Sequence, residues 1–203
     1  MSSIQATRNL TIENDLRYEH RHLAARGYWN AFARKLRYPL GPEKKAVHFI
    51  ESVLDPTHAL SAVSKDGQFL GVAGFKTSNG ALVGGGLTDM ARTYGWMSTI
   101  FRGLMISVLE RDCTEDTLLM DGIFVQANAR GQGVGTALLQ AVEAHAASMG
   151  LSTVRLDVID SNLRARALYE REGYSEITVK NLGPLRAVFG FSAAMEMSKS
   201  VGC

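Results

Sequence analysis

The chain has 203 residues, 46% of them hydrophobic and 21% charged, with a formal net charge of +2. That length suits a protein with a core of its own, and a near-neutral charge gives no case for general nucleic-acid binding or a polybasic membrane anchor. Two distant cysteines, Cys113 and Cys203, form neither a metal-ligand spacing nor a disulfide framework. No stretch approaches the roughly 18 apolar residues of a membrane span, and the N-terminal segment lacks the apolar core of a signal peptide. The expectation is one domain over residues 1–203, in a reducing cytoplasm, with no membrane and no nucleic-acid partner.

In chain order, residues 9–12 read as a first strand, and Asn14 or Asp15 as the cap of a helix. Leu16, Leu23, Trp29, Phe32 and Leu36 recur at helical spacing, with a break expected at Gly27. Pro39, Gly41 and Pro42 punctuate the chain before a second helix, which turns Val47, Ile50, Val53 and Leu54 inward and ends at Asp55-Pro56. Residues 59–77 form the clearest β signal, two apolar runs around Lys65-Asp66-Gly67-Gln68, a favoured hairpin turn. A glycine-rich loop follows, and Thr88 is expected to cap one helix over about 89–110, interrupted by nothing but Gly95 and Gly103.

The second half alternates. Residues 117–125 read as a strand, 133–149 as a helix, 152–159 as a strand, and "NLRARALYEREG" as a helix stopped by Gly173. "YSEITV" and "AVFGFSAAMEM" close the chain as strands. Strands alternating with helices, with hairpins at both ends, predict an α/β (α+β) fold: a mixed, mostly antiparallel central sheet of about six or seven strands flanked by helices.

One segment carries chemistry: "RGQGVGT", between the strand at 117–125 and the helix after it. It lacks the Gly-Lys-Ser/Thr of a P-loop, and Thr136 stands where a dinucleotide fingerprint needs its third glycine. Arg-x-x-Gly-x-Gly (Arg130, Gly133, Gly135) remains. A helix start leaves free N–H groups and partial positive charge, glycines let a pyrophosphate come close, and Arg130 adds charge at the rim. The plain alternative is a glycine turn that only lets a helix pack on a strand.

The segment has company. Val125 precedes Arg130 to Leu139, and about 30 residues on come Asn162, Ala165, Ala167, Leu168, Tyr169, Gly173 and Tyr174. Together with the upstream hairpin, these resemble the GNAT superfamily of acyl-CoA-dependent N-acyltransferases over roughly residues 59–199. The resemblance implies a strand that splays from its neighbour, leaving backbone of Ile123, Phe124 and Val125 to pair with the pantetheine arm. It places the pyrophosphate on the N–H groups of Arg130, Gly131, Gln132, Gly133, Val134, Gly135 and Thr136, whose hydroxyl is also available. It gives Asn162 a cofactor contact, although a helix N-cap is an equal reading, with Ser161 as the alternative cap. The backbone N–H of Val125 becomes an oxyanion donor.

Tyr169 matches the family's general acid. A phenol with a pKa of about 10 can protonate a departing thiolate of about 8.5; the competing reading is a ring packed in the core. Asp121, by strand alternation on the face of Ile123 and Val125, is a candidate base, or else a solvent-exposed carboxylate; Glu51 and Asp89 are alternatives. His20 and His22 point apart on a helix and suggest a solvated face, with no metal. Cys113 has no assignable histidine partner, which disfavours a covalent route. The resemblance thus implies an acetyl-CoA-dependent N-acetyltransferase acting by direct attack in a ternary complex. The acceptor is a small-molecule amine, walled by about 28–40 and 80–94, with Tyr28, Trp29, Phe32 and Tyr38 as candidate lining. Alternatives are a longer or carrier-bound acyl donor, a protein or peptide acceptor, or a non-catalytic acyl-CoA binder. By analogy a homodimer is possible, using the β-rich C-terminal edge.

Overall fold

The structure is a computed structural model that describes residues 10–107, 113–183, 186 and 190–202. In chain order it contains β1 (Leu10–Glu13), α1 (Arg21–Leu40), α2 (Glu43–Val53), β2 (Ala59–Ser64), β3 (Phe69–Thr77), β4 (Gly80–Ala81), α3 (Leu87–Tyr94), α4 (Trp96–Ser107), β5 (Thr117–Val125), α5 (Val134–Ser148), β6 (Thr153–Ile159), α6 (Leu163–Arg171), β7 (Ser175–Asn181) and β8 (Ala193–Ser200). The strands form one sheet in the order β1-β2-β3-β5-β6-β8-β7, with the two-residue β4 beside β3. Every named pairing is antiparallel except β5 with β6. The expected mostly antiparallel sheet flanked by helices is what forms.

Helices cover both faces. On one, α5 sets Leu138, Leu139, Val142 and Ala146, all fully buried, against Leu118, Met120, Val154 and Leu156. Burying each such side chain stabilises the fold by roughly 1.5–3 kcal/mol. On the other, α1 and α2 bury Ala24, Ala25, Trp29, Phe49 and Ile50 against Phe69 and Val72.

Several local expectations change, among them that Asn14 or Asp15 caps a helix: α1 is entered from His20 and runs through Pro39. Gly27 does not break α1, which runs through it. A Cβ there would lie 2.3 Å from the Phe124 ring, so glycine serves a close helix–strand approach instead. The helix expected over 89–110 is two helices, because Gly95 (φ 80°) takes a left-handed conformation between α3 and α4; residues 108–110 lie outside the described residues. Its cap is not Thr88 either: the chain enters α3 at Gly86, whose N–H donates to the Asp89 carboxylate at 3.0 Å. Finally, His20 is not on a solvated face. It is buried against the Phe69 ring, with centroids 5.4 Å apart, while His22 pairs with Glu51 at 2.9 Å.

Candidate active site

The site begins with a failure of pairing. β5 and β6 run in register from Thr117↔Thr153 only as far as Met120↔Leu156. Beyond Met120, β5 stays with β3 alone, through Gly122↔Gly74 to Val125↔Gly71. The register shifts here: Gly122 and Met120 face the adjacent residues Gly74 and Phe75, which makes Asp121 the extra residue of a β-bulge. Bulges bend and twist their strand, and this one sits where β5 leaves β6. It also interrupts the alternation of side chains, so parity no longer puts Asp121 with Ile123 and Val125. Asp121 is half-buried and belongs to the lining of neither cavity described below.

Helix α1 lies across the splayed half of β5. A Cβ on Gly122 would sit 2.0 Å from the Phe32 ring, just as Gly27 meets Phe124. Two glycines, one on each element, thus let helix and strand touch. At its far end Arg34 Nη1 donates to Ser161 Oγ at 3.0 Å, which ties α1 to the turn between β6 and α6.

The resulting cleft holds about 570 Å³. Its walls are Ile123, Phe124 and Val125 of β5, the turn before α5, Asn30 and Ala31 of α1, and α6. Of the residues expected to hold a cofactor, Arg130, Gly131, Gly133, Val134, Gly135, Thr136 and Asn162 also line it. Gln132 does not; its side-chain amide donates to the Asn128 carbonyl at 2.7 Å and steadies the turn.

Gly131 (φ 77°) and Gly133 (φ 82°) are left-handed, and a Cβ on either would meet nothing within 4 Å. Glycine is needed here for conformation rather than room, in a turn that lines the cleft. Gly133 is the N-cap of α5, so the positive end of that helix opens there as well. Arg130 Nε donates to the Val125 carbonyl at 3.1 Å and closes the strand's end. The Thr136 hydroxyl donates to Glu172 Oε1 at 3.1 Å and accepts from Arg171 Nη2 at 3.5 Å.

Asn162 is a helix cap and also stands at the cleft. Its side-chain oxygen caps α6 by accepting the Ala165 N–H at 3.3 Å, and the residue lines the cleft. Two cleft residues were missed in the sequence, Arg164 and Arg171. They sit seven apart on α6, with Leu168 between them in the same stripe, so each could have been found from the other by helical spacing. With Arg130 they give the cleft three guanidinium groups, a donor set suited to phosphates.

Where β5 and β6 part, a second chamber of about 70 Å³ adjoins the cleft, sharing Ala31, Ile123, Asn162 and Ala165 with it. Tyr169 lines this chamber from α6, 5% exposed, its ring 6.0 Å from that of Tyr174. Burial pushes its phenol well above the ordinary tyrosine pKa, so it stays protonated at any physiological pH. Phe32 lines the chamber too. The other aromatic candidates do not: Trp29 is core, Tyr28 packs on Phe32 with centroids 4.6 Å apart, and Tyr38 is half exposed beneath the Arg37 guanidinium. Among the described residues no group of three His, Cys, Asp or Glu could hold a metal, and no helix is long and apolar enough to cross a membrane.

Comparison with known proteins agrees with this geometry. The model of the acetyltransferase (GNAT) family matches residues 26–174, most of the chain. The chain belongs to the GNAT family. Within that family it is similar to a thialysine N-epsilon-acetyltransferase of Bos taurus, 36% identical over 61 residues, or 30% of this chain and 36% of that one. It is also similar to an uncharacterized N-acetyltransferase, YhfO, of Bacillus subtilis, 37% identical over 60 residues, or 30% and 40%. These matches span less than half the length of either relative. The GNAT fold itself extends further. The crystal structure of an N-acetyltransferase from Staphylococcus aureus Mu50 superposes with a TM-score of 0.67, covering 93% of this chain and 100% of the other at 15% identity.

Proposed function

We propose that this GNAT protein transfers an acetyl group from acetyl-CoA to a primary amine of a small molecule, by direct attack in a ternary complex. The observation that carries this reading is the continuity of two spaces. A cleft with a helix N-terminus, a glycine turn and three arginines opens into a small chamber walled by a buried tyrosine. The first suits the phosphates and pantetheine of a CoA thioester, whose amide groups would complete the unpaired edge of β5 as a strand does. The second suits the reacting carbon.

In this reading the backbone N–H of Val125 polarises the thioester carbonyl. A neutral amine adds to that carbon and gives up its proton to solvent. The C–S bond then breaks as the carbonyl re-forms, and the thiolate takes the Tyr169 proton, which water later restores. Nothing in the lining supports a base role for Asp121. A covalent enzyme intermediate on Cys113 is disfavoured by distance. Its thiol lies 3.5 Å from the Thr117 carbonyl, at the far end of β5, and Cys113 lines neither the cleft nor the chamber.

A small amine as acceptor accords with a relative named for acetylating thialysine. Thermal unfolding with acetyl-CoA, longer acyl-CoAs, NAD and ATP tests the reading. Acetyl-CoA at 100 times its Kd should add about 2.7 kcal/mol. For this size of chain the midpoint then rises by about 5–11 °C. A larger rise with a long acyl-CoA would move the donor assignment, and no rise with any CoA thioester would end it.

A further inference from the structure

The connection between β4 and β5 holds a helix that is apolar on its outer side. In α4, Met97, Ile100, Phe101 and Leu104 recur at i, i+3, i+4 and i+7, the spacing by which a helix normally buries one face. Here that face is turned to solvent: Met97 is 91% exposed and Ile100 75%, and Phe101 and Leu104 are exposed beside them. Trp96 and, from α3, Leu87 widen the patch, and both are exposed. Leu87 reaches it because Gly103 has no side chain; a Cβ there would lie 2.9 Å from Leu87 Cδ2.

The inner side of α4 is polar and fixed in place. Arg102 Nη1 donates to the carbonyls of Pro39 at 2.7 Å and Gly41 at 3.1 Å, and Nε donates to Ser98 Oγ at 2.7 Å. The guanidinium also lies 4.2 Å from the centre of the Tyr94 ring. Thr99 is buried, and its hydroxyl donates to the Gly95 carbonyl at 2.9 Å. Rolling the apolar side inward would strip these carbonyls of their donor and bring no partner for the charge. The six apolar side chains are thus held in water. At roughly 60–120 Å² for each aliphatic side chain and about 150–250 Å² for each ring, about two-thirds of it exposed, they present on the order of 500 Å². That is large for a monomer, whose biggest apolar patch is typically about 300–600 Å² and often functional.

We propose that this face is covered by the same face of a second copy of the chain. Two copies bury about 1,000 Å² through these side chains alone, the threshold for a specific interface, and the surrounding rim adds to it. Set antiparallel about a two-fold axis between Ile100 and Phe101, the stripe meets itself, Met97 opposite Leu104 and Ile100 opposite Phe101. Such a contact closes with two chains. No residue of the stripe carries a charge to oppose it. A bilayer asks for a different helix, one rich in Lys and Arg on its polar side, whereas the single charge of α4 is Arg102, which its own chain engages. The free edge of the sheet is the poorer alternative. There β7 carries Glu176 and Lys180, paired with Arg166 at 3.9 Å and Glu196 at 3.2 Å, charges of the kind that guard an edge strand. The assignment does not depend on the acetyl-transfer reading.

Sedimentation equilibrium of the full chain over a dilution series tests it. The wild type should show a two-chain mass that falls to one chain on dilution, and its unfolding midpoint should rise with protein concentration. F101E and M97E change exposed side chains and should keep the wild-type circular dichroism spectrum. Each should weaken pairing by at least about a hundredfold, because the new carboxylate is buried without a partner, and each should abolish the concentration dependence of the midpoint. I177E, at an exposed apolar residue of β7, should change neither. A one-chain mass of the wild type at every concentration would overturn the proposal, as would a two-chain mass that survives both F101E and M97E. Dissociation by I177E alone would overturn it in favour of the sheet edge. A single chain that cosediments with phosphatidylcholine vesicles, and loses that binding in F101E, would give the face to a lipid surface instead. A mass that climbs past two chains without a limit would mean unspecific association and would equally overturn it.

Discussion

Tyr169 is held in two ways at once. Its ring packs in the core beside Tyr174, and its position on α6 makes it a wall of the chamber. The readings weighed for it from sequence are therefore compatible rather than rival, as they are for Asn162. Tyr169→Phe should lower kcat by roughly 10²–10⁴-fold, the usual contribution of a positioned acid. The acetyl-CoA thermal shift should survive. Because burial raises its pKa, the protonated, active form persists through pH 10, so the alkaline limb of kcat should lie above the ordinary tyrosine value of about 10. A rate that declines around pH 9–10 in the wild type and not in a residual-activity Y169F profile would contradict this. Gly133 offers a second residue-scale prediction. Alanine there meets no neighbour but must adopt φ 82°, at a cost of roughly 1–2 kcal/mol. Acetyl-CoA should bind Gly133→Ala more weakly, which calorimetric titration would read.

At the scale of elements, the contact of α1 with β5 decides where the site opens. Gly122→Ala puts a Cβ 2.0 Å from the Phe32 ring, and overpacking of this kind costs roughly 1–3 kcal/mol. The unfolding midpoint should fall by a few degrees, and Phe32→Leu in the same chain should recover part of the loss. If G122A alone unfolds like the wild type, the glycine has some other purpose. The same contact marks where sequence reading stopped. A strand at 117–125 and a helix after "RGQGVGT" were legible because their signals are local: apolar alternation, and glycines that a left-handed turn demands. Gly27 and Asp121 were not, because each depends on a partner distant in sequence. A glycine inside a helix looks like a break until the ring that fills its space is known. Parity along β5 puts Asp121 beside Ile123 until the bulge resets it.

Across the whole molecule, buried phenols link stability to alkaline pH. Burial, opposed by the nearby Arg102 charge, pushes Tyr94 up to about 12, and burial raises Tyr169 further. Tyr174 is raised by burial and then by the charge of Glu143. Each folded value exceeds the unfolded value of about 10, so the stability these groups contribute is complete below pH 10 and is lost as pH rises through the folded values. Urea midpoints should hold steady to about pH 10 and then fall. Tyr94→Phe loses the hydroxyl's hydrogen bond to the Leu40 carbonyl but should show a shallower alkaline slope. A slope as steep as the wild type's would assign the fall to other groups.

The parting of β5 from β6 carries one more consequence. Past Met120 the outer edge of β5 has no neighbouring strand, so some amides between Asp121 and Val125 should exchange with deuterium quickly in the free protein and slowly once acetyl-CoA is bound. On the proposed reading, what is recognised there is main chain, which every residue type possesses. Substitution along that stretch leaves the lattice of donors and acceptors in place, while a single change on α1 or β6 alters the side chains that line the adjoining chamber. An architecture of this kind can keep one donor through long divergence and exchange acceptors readily, because the two halves of its recognition are written in different alphabets.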